Sequence, residues 1–115
     1  MTKIIEKPWG SEEIIEINEI YMFKKLLMKK GHRCSLQYHE HKKETIYVLS
    51  GELRILYGED RDNLESKIYM KGESITIEPM MVHRMEAVSD SEYFEASTPE
   101  IDDVIRLSDD YERSK

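Results

Sequence analysis

The chain alternates short apolar segments with short polar turns along almost its whole length. Segments rich in Ile, Val, Tyr, Leu and Met, such as EEIIEI at 12–17 and TIYVLS at 45–50, lie between turns that contain Gly, Pro, Asn or Asp. Many short strands at nearly even spacing are typical of an antiparallel sandwich or a small barrel. A parallel sheet needs a helix between successive strands, and the pattern predicts none. We therefore expect an all-β fold.

The C-terminal segment departs from this pattern. IDDVIRLSDDYER at 101–113 follows Pro99 and has acidic residues near its start, which suits the first turn of a helix. We expect a short C-terminal helix there. Because no internal repeat, low-complexity tract or linker divides the chain, residues 1–115 are predicted to form a single domain.

Charge and composition narrow the classes of partner. The 17 basic and 24 acidic residues give a formal charge of −7, which argues against nucleic acid or a membrane surface as partner. No apolar run approaches the ~20 residues of a membrane span, and the first ten residues are too polar for a secretion signal. The single cysteine, Cys34, cannot form an intrachain disulfide, which fits a reducing compartment. We expect a cytoplasmic protein.

Polar residues concentrate on one face of a predicted strand. Side chains two residues apart share a strand face, so Gln37, His39 and His41 are expected to point the same way. A divalent transition metal needs three or four nitrogen, oxygen or sulfur donors held by rigid elements. Glu44 from an adjacent strand and His83 from a distant one are the further candidates. The alternative interpretation is that the histidines are half-exposed or hydrogen-bonded strand residues without a metal.

The spacing of these residues resembles the first of the two motifs of the cupin superfamily. That motif is a glycine, five residues, a His-x-His pair, three or four residues, a glutamate, six residues and a second glycine. If His39 and His41 are the pair, Gly31 lies two residues too early and Glu44 one residue too close. If Gln37 and His39 are the pair, every interval fits.

The second cupin motif begins with a glycine and has a histidine eleven positions later. Gly72 and His83 have this interval, although Met80 stands where the motif usually has a glycine. Two imidazoles and two oxygens suit zinc, our first choice, and also manganese, iron, cobalt or nickel. His41 is left free, and His32 beside a turn glycine is expected in solvent. The resemblance thus implies one divalent metal bound by four residues: Gln37, His39, Glu44 and His83.

Nearly the whole chain resembles the type II phosphomannose isomerases, whose cupin domain often forms the C-terminal part of bifunctional mannose-1-phosphate guanylyltransferases. The segments that carry the resemblance are KPWG at 7–10, SLQYHEHKKE at 35–44, HRME at 83–86 and EIDDVIRLSDDYER at 100–113. The fold implied is a small antiparallel β-barrel, or jelly roll. Lys42 stands where the family usually has arginine. Since the chain has no glycine-rich nucleotide loop, guanylyl transfer is not carried over.

The resemblance implies a metal-dependent isomerase of sugar phosphates, with mannose 6-phosphate and fructose 6-phosphate as the expected pair. The reaction moves a proton between adjacent carbons, so it needs a base near them and a cation on their oxygens. His41 is the first candidate for the base, and Glu95 is the second. The substrate phosphate needs fixed cations. The candidates are Lys24, Arg84 and Arg106.

Two other functions stay open. A non-catalytic cupin of carbohydrate biosynthesis would bind a sugar or nucleotide sugar without turnover, and a cupin sugar epimerase would use the same barrel for different chemistry. We also expect a homodimer, because an open barrel of this size has strand edges to cover and TKIIEK at 2–7 is available for pairing.

Overall fold

In the computed structural model, which describes residues 2–111, the chain folds into eleven β-strands, and the described residues contain no helix. Every second residue of Met22–Met28 is buried, as expected for a strand with one face on a core. The strands are β1 (Lys3–Lys7), β2 (Gly10–Ile17), β3 (Met22–Met28), β4 (Leu36–Tyr38), β5 (Glu44–Ser50), β6 (Leu53–Gly58), β7 (Leu64–Tyr69), β8 (Ser74–Ile77), β9 (Val82–Ala87), β10 (Ser91–Ser97) and β11 (Ile105–Ser108).

The strands form two antiparallel sheets. One has six strands in the order β1-β2-β3-β10-β5-β8, and the other has five in the order β11-β4-β9-β6-β7. Buried apolar residues from both sheets, such as Ile46 and Val48 of β5 and Ile55 of β6, form one continuous core. Full burial of a side chain of this size contributes about 1.5–3 kcal/mol. The predicted all-β fold is confirmed.

Four strands carry a charged or imidazole side chain among their inward-facing residues. On β3, for example, the buried positions change from Met28 and Leu26 to Lys24. The same change occurs on the three other strands, where apolar buried positions give way to Glu44 of β5, His83 of β9 and Glu95 of β10. One end of the space between the sheets is therefore apolar, and the other is lined by polar groups.

The predicted C-terminal helix is wrong. Residues 101–102 form a turn, and Ile105–Ser108 is β11, which pairs with β4 so that Arg106 lies opposite Gln37. Pairing with β4 supplies the backbone partners that a helix would have supplied internally. The last two residues of the predicted helix, 112–113, lie outside the described residues. No helix of the described part is long and apolar enough to span a membrane.

The turn before β9 contains a residue in the left-handed region of backbone conformation. Met80 has φ 71°, and its backbone N–H donates to the carbonyl oxygen of His39 at 2.6 Å. This conformation costs a non-glycine residue about 1–2 kcal/mol. It occurs at the position where the cupin motif usually has glycine. The chain therefore forms the turn with methionine in place of glycine.

Candidate metal centre

Three buried side chains converge at the polar end of the barrel. His39 follows β4, Glu44 is the first residue of β5, and His83 lies in β9. The Nε2 atom of His39 lies 3.1 Å from Oε1 of Glu44, and Nε2 of His83 lies 4.0 Å from Oε2 of the same carboxylate. One ligand atom from each of the three residues lies within 4.8 Å of the other two.

Backbone carbonyls orient both imidazoles. Nδ1 of His39 donates to the carbonyl oxygen of Asp103 at 2.6 Å, and Nδ1 of His83 donates to that of Met81 at 2.9 Å. Because a carbonyl oxygen can only accept, each Nδ1 carries the proton and each Nε2 presents its lone pair to the site. Contacts of this kind are typical of histidines that bind metals.

Two of the converging atoms, Nε2 of His39 and Nε2 of His83, have no hydrogen-bond partner among residues 2–111. The third, Oε1 of Glu44, has no hydrogen bond there and lies 3.3 Å from the ammonium of Lys42. Each buried polar atom without a partner costs about 1–3 kcal/mol, so two unpaired imidazole nitrogens beside a carboxylate indicate a ligand site. Two imidazole nitrogens and a carboxylate are donors that suit a divalent transition metal, and the residues present therefore fit such an ion.

The electrostatics of the site favour the protonation states that bind metals. Burial by itself raises the pKa of the Glu44 carboxyl, but its neighbours, the charged Lys42 among them, outweigh it and lower that pKa, so the carboxylate stays ionised. Burial also lowers the pKa of His83, which keeps its imidazole neutral. Metal ligands must be deprotonated, and both groups meet this requirement.

Gln37 lies beside these ligands on the same sheet. It pairs across the strands with His83 of β9 on one side and Arg106 of β11 on the other, and cross-strand partners share a face. Its Oε1 accepts a hydrogen bond from the hydroxyl of Ser35 at 2.5 Å. Its role as a fourth ligand stays a prediction.

A cavity of about 540 Å³ opens beside the site, and Gln37, His39 and Glu44 form part of its wall. Two lysines that together make four linked ion pairs form another part. Nζ of Lys42 lies 2.9 Å from Glu95 and 3.3 Å from Glu44, while Nζ of Lys24 lies 3.2 Å from Glu12 and 3.9 Å from Glu95. Burial by itself lowers the pKa of Lys42, but the two carboxylates outweigh it and raise that pKa, so the ammonium stays charged.

The two predicted catalytic residues lie in different surroundings. Glu95 is buried and lines the cavity. His41 is exposed and does not, because β4 ends at Tyr38 and the alternation that would have placed His41 on the ligand face stops there. The backbone N–H of His41 instead donates to Asp103.

The three predicted phosphate-binding cations also differ. Lys24 and Arg106 line the cavity, and Nε of Arg106 is buried without a hydrogen-bond partner in the described part of the chain. Arg84 is not among the lining residues, and its Nε donates to the carbonyl oxygen of Cys34 at 3.1 Å. His32, expected in solvent, is half-buried, and its Nδ1 lies 2.7 Å from the hydroxyl of Tyr111.

Sequence reasoning assigned no role to two residues that hold the site together. Lys42 bridges two buried carboxylates, and its place within the first motif, where the family usually has arginine, was the available signal. Asp103 accepts the ring N–H of His39 through its backbone carbonyl. It belongs to the segment 100–113 that carries the family resemblance, where its charge was used only to support the first turn of a helix.

Comparison with known proteins gives a family and a fold. The family described as mannose-6-phosphate isomerase C-terminal matches residues 1–109. The mannose-1-phosphate guanylyltransferase ManC of Salmonella typhimurium is 31% identical over 118 aligned positions, which cover 98% of this chain and 24% of that protein. The chain thus spans about a quarter of the length of this curated relative.

Solved structures superpose on most of the chain. An RmlC-like cupin from Shewanella frigidimarina has a TM-score of 0.77 at 18% identity and covers 89% of this chain and 87% of its own. A Bacillus subtilis oxalate decarboxylase, studied for its Mn(II) centres, has a TM-score of 0.77 at 17% identity and covers 91% of this chain and 30% of its own. At these identities the likeness shows the fold alone, which is that of a cupin. With the family match over residues 1–109, the chain belongs to the mannose-6-phosphate isomerase C-terminal family of cupin domains.

Proposed function

We propose that the chain is a metal-dependent isomerase of sugar phosphates, with mannose 6-phosphate and fructose 6-phosphate as its first candidate pair. The observation that carries this proposal is the convergence of three buried ligand atoms beside a cavity that Lys24 and Arg106 also line. Two of these atoms are imidazole nitrogens without a hydrogen-bond partner among residues 2–111. A cavity of about 540 Å³ is within the usual range for small-molecule sites. The family name supports the same reaction class.

The donors proposed for the metal are His39, Glu44 and His83, with Gln37 as the fourth. When bound, a divalent ion would supply a Lewis acid for the carbonyl and hydroxyl oxygens of the sugar. Zinc is our first choice. Manganese suits the same donors, and the oxalate decarboxylase with the similar fold has Mn(II) centres.

Glu95 is the residue we propose as the base. Isomerisation of an aldose to a ketose removes a proton from C2 and returns one to C1, while the proton on the C2 oxygen is lost and one is gained at O1, so atoms and charge balance. Its carboxylate lies in the cavity, 2.9 Å from the ammonium of Lys42, which stays charged and can donate to a substrate oxygen as charge develops. A positioned base contributes ~10²–10⁴-fold to the rate.

Arg106 is the residue we propose as the main phosphate-binding group. Its buried Nε has a free hydrogen to donate, whereas Lys24 already shares its charge with Glu12. A guanidinium can bind two phosphate oxygens at once, which fixes the substrate as well as attracting it. Lys24 adds charge on the opposite sheet.

The test is to follow mannose 6-phosphate and fructose 6-phosphate directly by NMR with metal-loaded protein. We expect interconversion by the wild type, loss of it in His83→Ala and Glu95→Gln, and near wild-type turnover in His41→Ala, which removes an exposed imidazole. Loss of turnover in His41→Ala, with Glu95→Gln active, would transfer the role of base to His41. Stoichiometric metal with sugar-phosphate binding but no turnover would favour the non-catalytic binding cupin, and a new aldose as product would favour the epimerase.

A further inference from the structure

Asp103 makes hydrogen bonds to four consecutive residues of the turn that follows β4. Its Oδ1 accepts the backbone N–H of Glu40 at 3.0 Å, and its Oδ2 accepts those of His41 at 2.7 Å and Lys42 at 2.9 Å. Its own backbone carbonyl accepts the Nδ1 proton of His39 at 2.6 Å. One residue therefore holds the whole turn from a proposed metal ligand to the buried lysine.

The carboxylate of Asp103 is suited to this role. Hydrogen bonds to an ionised acceptor are roughly twice as strong as those between neutral groups, and three successive N–H groups form a concave site for an anion. Burial acts to raise the pKa of Asp103, but the three N–H donors outweigh it and lower that pKa to about 2.

A second contact fixes the far end of the same turn. The backbone N–H of Lys43 donates to the hydroxyl of Thr98 at 3.0 Å, and the N–H of Thr98 donates back to the carbonyl of Lys43 at 3.0 Å. Residues 98–103 therefore lie along residues 39–43 and bind them at both ends. Three residues after Asp103, Arg106 faces the cavity.

We propose that Asp103 is a positioning residue that couples metal binding to the placement of the cavity wall formed by residues 101–106. Its carbonyl sets the tautomer and direction of the His39 ring, and its carboxylate holds the turn that carries that ring and Lys42. The same residue holds the strand that presents Arg106. The inference rests on the proposed metal site, and it holds whether or not the bound substrate is isomerised.

Coupling of this kind has a measurable size. Loss of a group that orients a metal ligand typically lowers metal affinity 10–100-fold. Because coupling is reciprocal, metal binding must in turn stabilise the contacts between residues 39–43 and 98–103. Both effects can be measured without any assay of activity.

The first experiment measures the dissociation constant of Co²⁺ and its visible absorption spectrum for the wild type, Asp103→Asn and Asp103→Ala. Both variants keep the backbone carbonyl that accepts the His39 proton, and asparagine also keeps one acceptor oxygen for the turn. We therefore expect a ~10-fold loss of affinity for asparagine and a ~100-fold loss for alanine, with shifted Co²⁺ bands in both. The control is Asp62→Asn, which removes the same charge from an exposed residue of the turn between β6 and β7, outside the cavity wall. Wild-type affinity and spectrum in Asp103→Ala, even with a lower melting temperature, would overturn the inference.

The second experiment uses only the wild type, so it tests the coupling even if the Asp103 variants fold poorly. Hydrogen exchange of the wild type is compared with and without Co²⁺. We expect slower exchange at the amides of residues 40–42 and 105–108 when the metal binds, and unchanged exchange there would overturn the coupling. A wild type that binds Co²⁺ with this protection but does not convert sugar phosphates contradicts only the isomerase proposal. A wild type that binds no divalent metal contradicts both.

Discussion

Lys42 shows how a single residue can set the charge balance of the site. Its side chain is 5% exposed and lies between the carboxylates of Glu95 and Glu44. An ion pair in the interior offsets the cost of desolvating its members only while all of them are present. The net contribution of Lys42 to stability is therefore small, but its loss would leave two buried carboxylates without their shared cation.

Replacing Lys42 with methionine should destabilise the metal-free protein by about 3–5 kcal/mol, because two buried carboxylates would then lack their shared cation. Urea unfolding measures the change. Lys42→Arg should be close to wild type, since the charge remains. The matched control is Lys43→Met, whose partner Glu78 is about half exposed, as Lys43 is, so that its loss should cost no more than about 1 kcal/mol. Equal losses in the two methionine variants would contradict the prediction.

At the scale of the element, the segments that connect the strands differ most from what the sequence predicts. Buried and exposed side chains alternate along a strand with a period of two residues. This pattern is local, so the sequence predicts the apolar segments as strands. The structure brings together His39, Glu44 and His83, which the intervals of the two motifs singled out. The role of Asp103 was not predictable in this way, because its contact with Lys42 joins positions 61 residues apart and depends on how β11 pairs with β4. A helix over the same segment would satisfy local propensity equally well.

The turn at Met80 allows a direct test of backbone strain. Met80→Gly should stabilise the protein by up to about 1 kcal/mol, because glycine adopts φ 71° without the clash that a Cβ introduces. Met80 is 55% exposed, so little packing is lost. Met70, which is 51% exposed and has no positive φ, is the control: Met70→Gly should cost about 0.5–1 kcal/mol. Denaturant unfolding measures the change in the free energy of unfolding for each variant. A change of the same sign in both variants would contradict the prediction.

At the scale of the whole molecule, one edge of the six-stranded sheet is left without a neighbour in the described chain. β1 pairs with β2 on one side only, and Ile4 within it is 63% exposed. Open edges present unpaired N–H and C=O groups and are commonly covered by another chain. A second copy of this chain, paired through β1, remains our proposed partner.

Sedimentation measurements test the dimer. We expect a mass of two chains for the wild type and of one chain for Ile4→Lys, because the charge would have to be buried between the edges. Ile20→Lys is the control, since Ile20 is 72% exposed and lies outside every strand. A monomeric wild type, or a dimer that survives Ile4→Lys, would contradict pairing through β1.

The full burial of His83 leaves the metal site facing the cavity. His83 has 0% exposure and is not part of the cavity wall, whereas His39 and Glu44 are. An ion bound by all three would have the core behind it and the cavity in front, so under the proposed function it would arrive before the sugar phosphate and leave after it. Saturating sugar phosphate should therefore slow the stripping of metal by a chelator, and an unchanged rate would indicate a second route. A slower rate would mean that bound sugar phosphate keeps the metal from leaving the site.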